Sequence, residues 1–251
     1  MNILASWLKN LRRKNDEEEA DAYEPPAPAP AVDSVSELLT DCEDCILTPI
    51  PRVTLTVMTV ADMHGKLMQR SIEDKLCSAA LPDAVFLLGD NFPSDIGAVL
   101  AVIPESIPVF GVSGNHDFEG NLRQYPRIAD VGGKCTLPHG SLKDSDFTIA
   151  GLSGSIRYKD DSRYCMLTNE ESDSIMSGLP RADILLTHDK PCFAVPSELT
   201  SHSGLTGIGK YILEKRPSVV LHGHLHERHI KRLGGTVIRC CYGVEVFEIA
   251  F

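Results

Sequence analysis

Five apolar runs in this chain each lead into residues of metal-binding chemistry, and that pattern limits the folds open to it. Leu55–Val60 leads to Asp62-x-His64, and Ala84–Leu88 to Gly89-Asp90-Asn91. Pro108–Ser113 leads to Gly114-Asn115-His116-Asp117. Asp183–Thr187 leads to His188, and Ser218–His222 to Gly223-His224-Leu225-His226. Short apolar runs bounded by turn residues read as strands buried on both faces. Parallel strands bring their C-terminal ends to one edge of a sheet, where open α/β sheets bind ligands. Residues from Asp62 to His226 can thus converge in one cleft.

The segments between these runs carry helical periodicity over Lys66–Cys77, Ile96–Ile103, Asn169–Leu179 and Gly207–Lys215. Phe147–Leu152 reads as a further strand. Two β-rich runs, Thr236–Cys240 and Val244–Phe251, close the chain. The first half reads as βαβ units with parallel pairing, the ending as antiparallel. A mixed α/β architecture follows for residues 51–251. With 43% hydrophobic residues the chain can bury a substantial core.

Residues 1–50 have a different character. Ile3, Leu4, Trp7, Leu8 and Leu11 share one face of a short helix over 1–14, with Lys9, Arg12, Arg13 and Lys14 beside and after them. A secretion signal has the opposite order, charges first and then a longer apolar core. Such a helix suits a membrane surface or a protein groove, or it packs loosely on the body. An acidic run, Glu17–Glu19, and a Pro-Ala spacer, Pro25–Pro30, read as a flexible linker. Most of the net charge of −11 lies in this segment, so the body is only mildly acidic. It has no basic stripe, which argues against general nucleic-acid affinity.

The eight cysteines are scattered, and Cys42-x-x-Cys45 has no second pair at zinc-finger spacing. Reduced thiols in a cytoplasm are the expected state. No apolar run reaches the roughly 18 residues of a membrane span.

The ligand chemistry is specific as a set, though each D-x-H or single histidine is weak alone. Two divalent ions held about 3.5–4 Å apart need nitrogen and oxygen ligands and a bridging carboxylate. Asp62 and His64 share one side of an extended D-x-H and suit the first ion. Asp90 suits the bridge. Asn115 and His188 suit the second ion, and His224 and His226 supply one imidazole to each. Imidazole with carboxylate favours Mn, Fe, Zn or Ni over Ca or Mg. His116 is left over as a proton donor or charge stabiliser. His222 reads as a structural histidine, His139 and His229 as surface residues.

These five motifs, in this order, resemble the calcineurin-like metallophosphoesterase superfamily over about residues 53–251. Gly151-Leu-Ser-Gly154-Ser-x-Arg157-Tyr158 and His202-x-Gly204 are similar to segments of its small bacterial members. The resemblance implies a four-layer sandwich of two mixed sheets flanked by helices. It also implies a two-metal hydrolase of phosphate esters with the ligand roles just given. The protein Ser/Thr phosphatase branch carries an Asp three residues after the bridging Asp, then an Arg. Here that position is Pro93 and no Arg follows, which argues against a dedicated phosphoprotein phosphatase. Asp95 and Asp117 are then the candidate carboxylate partners of His116. Arg157 and His202 are candidates for the substrate pocket, or ordinary surface and loop residues.

The expected function is hydrolysis of a phosphate mono- or diester, of a small molecule or nucleotide. The alternatives are a non-catalytic scaffold on the same fold, and a nuclease. Superfamily scaffolds lose ligands or the GNH histidine, and none is missing here.

Overall fold

The computed structural model describes residues 53–118, 120–137, 147–161, 163–194 and 199–251, all within one compact unit, Thr48–Phe251. The expected N-terminal helix and linker, Cys42, Cys45 and His139 lie outside the described residues. Two sheets form the centre. The first has five strands and the second six.

The first sheet is built from β1 (Thr54–Ala61), β2 (Ala84–Leu88), β3 (Val109–Val112) and β4 (Ile128–Asp130), all parallel. The last strand, β13 (Gly243–Ala250), lies antiparallel against β1. In the second sheet β6 (Ile149–Leu152), β9 (Ile184–Thr187), β10 (Val219–His222) and β12 (Thr236–Cys240) run parallel. Antiparallel edges, β5 (Lys134–Thr136) and β11 (His229–Leu233), complete it. A separate pair, β7 (Ser155–Ile156) with β8 (Met166–Leu167), lies outside both.

Strand periodicity assigns the layers. Alternate residues of a strand face opposite sides. Thus Phe86 and Leu88 of β2 join Leu186 and Leu221 in a core between the sheets. Val85 and Leu87 face the other way, against Ile72 of α1 (Gln69–Ser78) and Ile96 and Val99 of α2 (Pro93–Val102). On the far side Leu185 and Val220 meet Met176 of α3 (Asn169–Gly178) and Ile208 and Ile212 of α4 (Thr206–Lys215). The four layers are helices, sheet, sheet and helices.

Both closing runs enter antiparallel pairs, as the sequence suggests, β12 with β11 and β13 with β1. The two closing runs do not pair with each other. β12 joins the second sheet, parallel to β10, and β13 crosses to the first. Gly243, with φ +72°, stands at the start of the crossing strand. The short strands β4, β5, β7 and β8 give too few residues for a periodic signal. β11 carries exposed Lys231 and Arg232, as suits a protected edge. α2 starts earlier than expected, at Pro93, whose fixed φ favours the first helical position.

The inter-sheet core predicts its own sensitivity. Leu221 is fully buried between the sheets, and Leu221→Ala should cost about 2–5 kcal/mol in urea unfolding. A loss below about 1 kcal/mol would contradict this packing.

Candidate metal centre

The candidate ligands follow strand ends of both sheets. Asp62 follows β1, Asp90 β2 and Asn115 β3, while His188 follows β9 and His224 β10. The side chains meet. His64 Nε2 lies 3.2 Å from His226 Nε2, and His188 Nε2 lies 3.0 Å from Asn115 Oδ1. Asp90 Oδ2 is 3.9 Å from His64 Nε2 and 3.6 Å from His188 Nε2, so it stands between the two groups. Asp62 Oδ1 is 3.8 Å from His226 Nε2. Donor atoms of Asp62, His64 and His226, and separately of Asp62, Asp90 and His188, lie within 4.8 Å of one another. His224 packs edge-on to His188, with ring centroids 4.9 Å apart.

The backbone is bent to achieve this. Asp62, His64, Asp90, His224 and His226 all have positive φ, between +48° and +73°. That left-handed region disfavours residues with a Cβ, although Asp and His tolerate it better than most. Strain of this kind persists only where surrounding contacts over-determine it, and it gathers at functional sites. The contacts are on hand. Asp62 accepts from His224 N–H at 3.0 Å, which ties the two sheets' loops together. Asp90 Oδ1 accepts from His116 N–H at 2.8 Å. Gly89 and Gly114 let two loops touch: a Cβ on Gly89 would sit 2.6 Å from Gly114 N.

Hydrogen bonds set which histidine nitrogen faces the cleft. His188 Nδ1 lies 2.8 Å from the Leu88 carbonyl, and His224 Nε2 2.7 Å from the Ser201 carbonyl. A carbonyl can only accept, so each of these nitrogens carries the proton. The other ring nitrogen, Nε2 in His188 and Nδ1 in His224, keeps its lone pair for a ligand role.

Burial controls the charges. The Asp62 carboxyl is pushed up to about 8, first by burial and then by the Asp90 charge. Burial and then repulsion from Asp117 push Asp90 up, and burial raises Asp117. Burial also drives His64 down to about 4, with the His116 charge next, and lowers His188, His224 and His226. Among the described residues, the ion-pair partners of Asp62 and Asp90 are imidazoles, never Lys or Arg. Buried carboxylates beside neutral imidazoles form a donor set short of positive charge, which fits divalent cations.

The other expected site residues separate. His116 lines the cleft, its ring edge-on to His64 at 5.3 Å between centroids. His202 lines it too, 5.1 Å from the His224 ring. Asp95 does not serve as a partner for the His116 side chain. Its two oxygens accept from Gly65, Leu67 and Phe92 N–H, so it braces the His64 loop against the start of α2. Asp117 likewise holds backbone. Its Oδ2 accepts from Asp90 and Gly114 N–H, while Oδ1 is buried with no partner. Arg157 is turned away. It pairs with Glu171 at 2.9 Å, at the N-terminus of α3, and lines a separate cavity of 480 Å³ whose walls include none of the candidate ligands.

Sequence reasoning missed several cleft residues. Tyr158 and Ser201 line the cleft, whose volume is 280 Å³. Buried Asp189 accepts from Ile156 N–H and so fixes the strand leading to Tyr158. Tyr242 stacks on His226, with ring centroids 5.1 Å apart. Tyr158 lies within a segment the motifs single out and Asp189 adjoins His188, whereas nothing near Tyr242 marks it.

Residues 55–240 match the family model described as the calcineurin-like phosphoesterase superfamily domain. No curated protein sequence matches the chain. Among solved structures, TT1561 of Thermus thermophilus is similar over 79% of this chain and 99% of its own, at 15% identity and TM-score 0.56. The phosphopantetheinyl hydrolase PptH of Mycobacterium tuberculosis is similar over 75% of this chain and 89% of its own, at 11% identity and TM-score 0.52.

The charge pattern predicts the pH response of metal-free protein. Histidines with lowered values favour folding as pH rises only up to their ordinary 6.5, whereas Asp62, raised from 3.8 to about 8, disfavours it throughout that interval. Between pH 6.5 and about 8 only the carboxylate effect remains, so stability should fall as pH rises. Thermal melting in chelator should show this decline, and added divalent metal should cancel it. A melting temperature that climbs across that window would refute the assignment.

Proposed function

Since the chain belongs to the calcineurin-like phosphoesterase superfamily, we propose that it hydrolyses phosphate esters of small molecules at a binuclear divalent-metal centre. The observation that carries this reading is Asp90, buried between two donor groups with an imidazole on each side. Asp62, His64 and His226 would hold one ion, and Asn115, His188 and His224 the other, with Asp90 shared. When bound, such ions would lower the pKa of the attacking water and offset the charge developing on phosphate oxygens.

The protein's own groups do the rest. His116 faces the cleft and is held at its backbone by Asp90. Its imidazole would give a proton to the leaving oxygen as the phosphorus–oxygen bond breaks. Asp117 fixes the Asp90 and Gly114 backbones and so the distance between the two donor groups. His202 and Tyr158 line the cleft and would meet the alcohol part of the ester. A cleft of 280 Å³ suits a small ester. The family match spans residues 55–240, which supports assigning catalysis to residues 51–251.

Hydrolysis of nitrophenyl mono- and diesters with Mn, Fe, Ni, Zn and Mg tests the reading, and no turnover with any of them would sink it. Asp90→Asn should lower occupancy of both ions, as counted by elemental analysis. His116→Ala should keep metal but slow turnover about 10²–10⁴-fold. The loss should be larger for alkyl esters than for nitrophenyl esters, which leave without a proton. An equal loss for both would point to charge stabilisation instead.

A further inference from the structure

A second donor cluster lies outside the cleft. His222 ends β10, His229 opens β11 and Cys240 ends β12. The register makes Cys240 the partner of His222 on one side and of His229 on the other. The three side chains thus form one row across neighbouring strands. Strands lie about 4.8 Å apart, so two long imidazoles lean inward over the shorter cysteine. Their ring centroids are 6.1 Å apart. The row faces away from the inter-sheet core, because His222 shares the side of Val220 and Cys240 that of Ile238.

The surface expectation for His229 is therefore wrong: it is half-buried and turned toward His222. His222 and Cys240 are buried. One ligand atom from each of the three lies within 4.8 Å of the others. Tetrahedral zinc, with bonds of about 2.0–2.3 Å, needs donors about 3.3–3.8 Å apart, a modest closure. Glu227 Oε2, 3.8 Å from His229 Nδ1, is within reach as a fourth ligand.

We propose that His222, His229 and Cys240 form a structural metal site for a borderline-soft divalent cation, zinc foremost. Two imidazoles and a thiolate select such a cation over Mg or Ca. In the absence of a cation, burial and then the Asp62 charge push the Cys240 thiol up to about 12; a bound cation stabilises the thiolate and releases its proton. The site would clamp both ends of the loop Gly223–Arg228, which carries His224 and His226. It stands independently of the catalytic reading, since it shares no residue with the cleft.

Cobalt substitution of the metal-free full-length chain tests it. A thiolate bound to Co(II) gives a sulfur-to-metal charge-transfer band in the near ultraviolet, and the cleft donors contain no sulfur. The band should appear in the unaltered chain and in a Cys42→Ser/Cys45→Ser variant, and zinc should displace it. It should vanish in Cys240→Ser and in His229→Ala. Circular dichroism on each variant establishes that it is folded, and His229→Ala alone decides the matter if Cys240→Ser fails to fold. Absence of the band from the unaltered chain, or its survival in folded His229→Ala, would overturn the site.

Discussion

The cleft rests on the burial of three carboxylates, Asp62, Asp90 and Asp117, the first two paired among the described residues with imidazoles and with no Lys or Arg. Burial of an ionised carboxylate is costly unless charge or hydrogen bonds offset it. Here the neighbouring loops offer backbone N–H groups: His224 to Asp62, His116 to Asp90, and Gly114 and Asp90 to Asp117. Three of these bonds join a carboxylate to a different motif, and the fourth, Gly114 to Asp117, closes a turn within one. The same bonds therefore hold the negative charge in place and set the spacing of the motifs.

Backbone strain follows from that arrangement. Five candidate ligands take left-handed conformations, each at a cost of roughly 1–3 kcal/mol. The sequence suggests an extended D-x-H, in which residues two apart share a face. Asp62 and His64 are instead left-handed, as are His224 and His226, so sharp turns and not strand alternation aim these side chains. The sheets supply rigid points from which these turns start, and the carboxylate bonds hold them.

Much of this was legible in the chain. Leu55–Val60 and Ala84–Leu88 read as buried strands because both faces are covered, and the candidate ligands stood where parallel strands end. The four-layer sandwich agrees with the motif resemblance. What stayed hidden had physical reasons. Asp95 reads as a candidate partner of His116 by position, yet its oxygens accept from backbone N–H groups, which no local pattern announces. Arg157 sits in a suggestive segment, but a capping glutamate, Glu171, draws it elsewhere. The row of His222, Cys240 and His229 depends on strand order, and strand order is a long-range property. β12 sits between β10 and β11 although it follows both in sequence.

The crossing of β13 bears on how the chain is made. Thr54 pairs with Ala250 and Ala61 with Gly243, so the first described strand is covered by the last. Loop closure over such a separation comes late and slowly. On the ribosome β1 emerges well before β13 and waits with an open edge until β13 has been made. Asp62 directly follows that strand, so the sheet edge beneath it is completed only when β13 docks. The antiparallel seam between β1 and β13 is a completion step, so losing the start of β13, where Gly243 pairs with Ala61, would take support from beside Asp62 while leaving every candidate ligand in the chain.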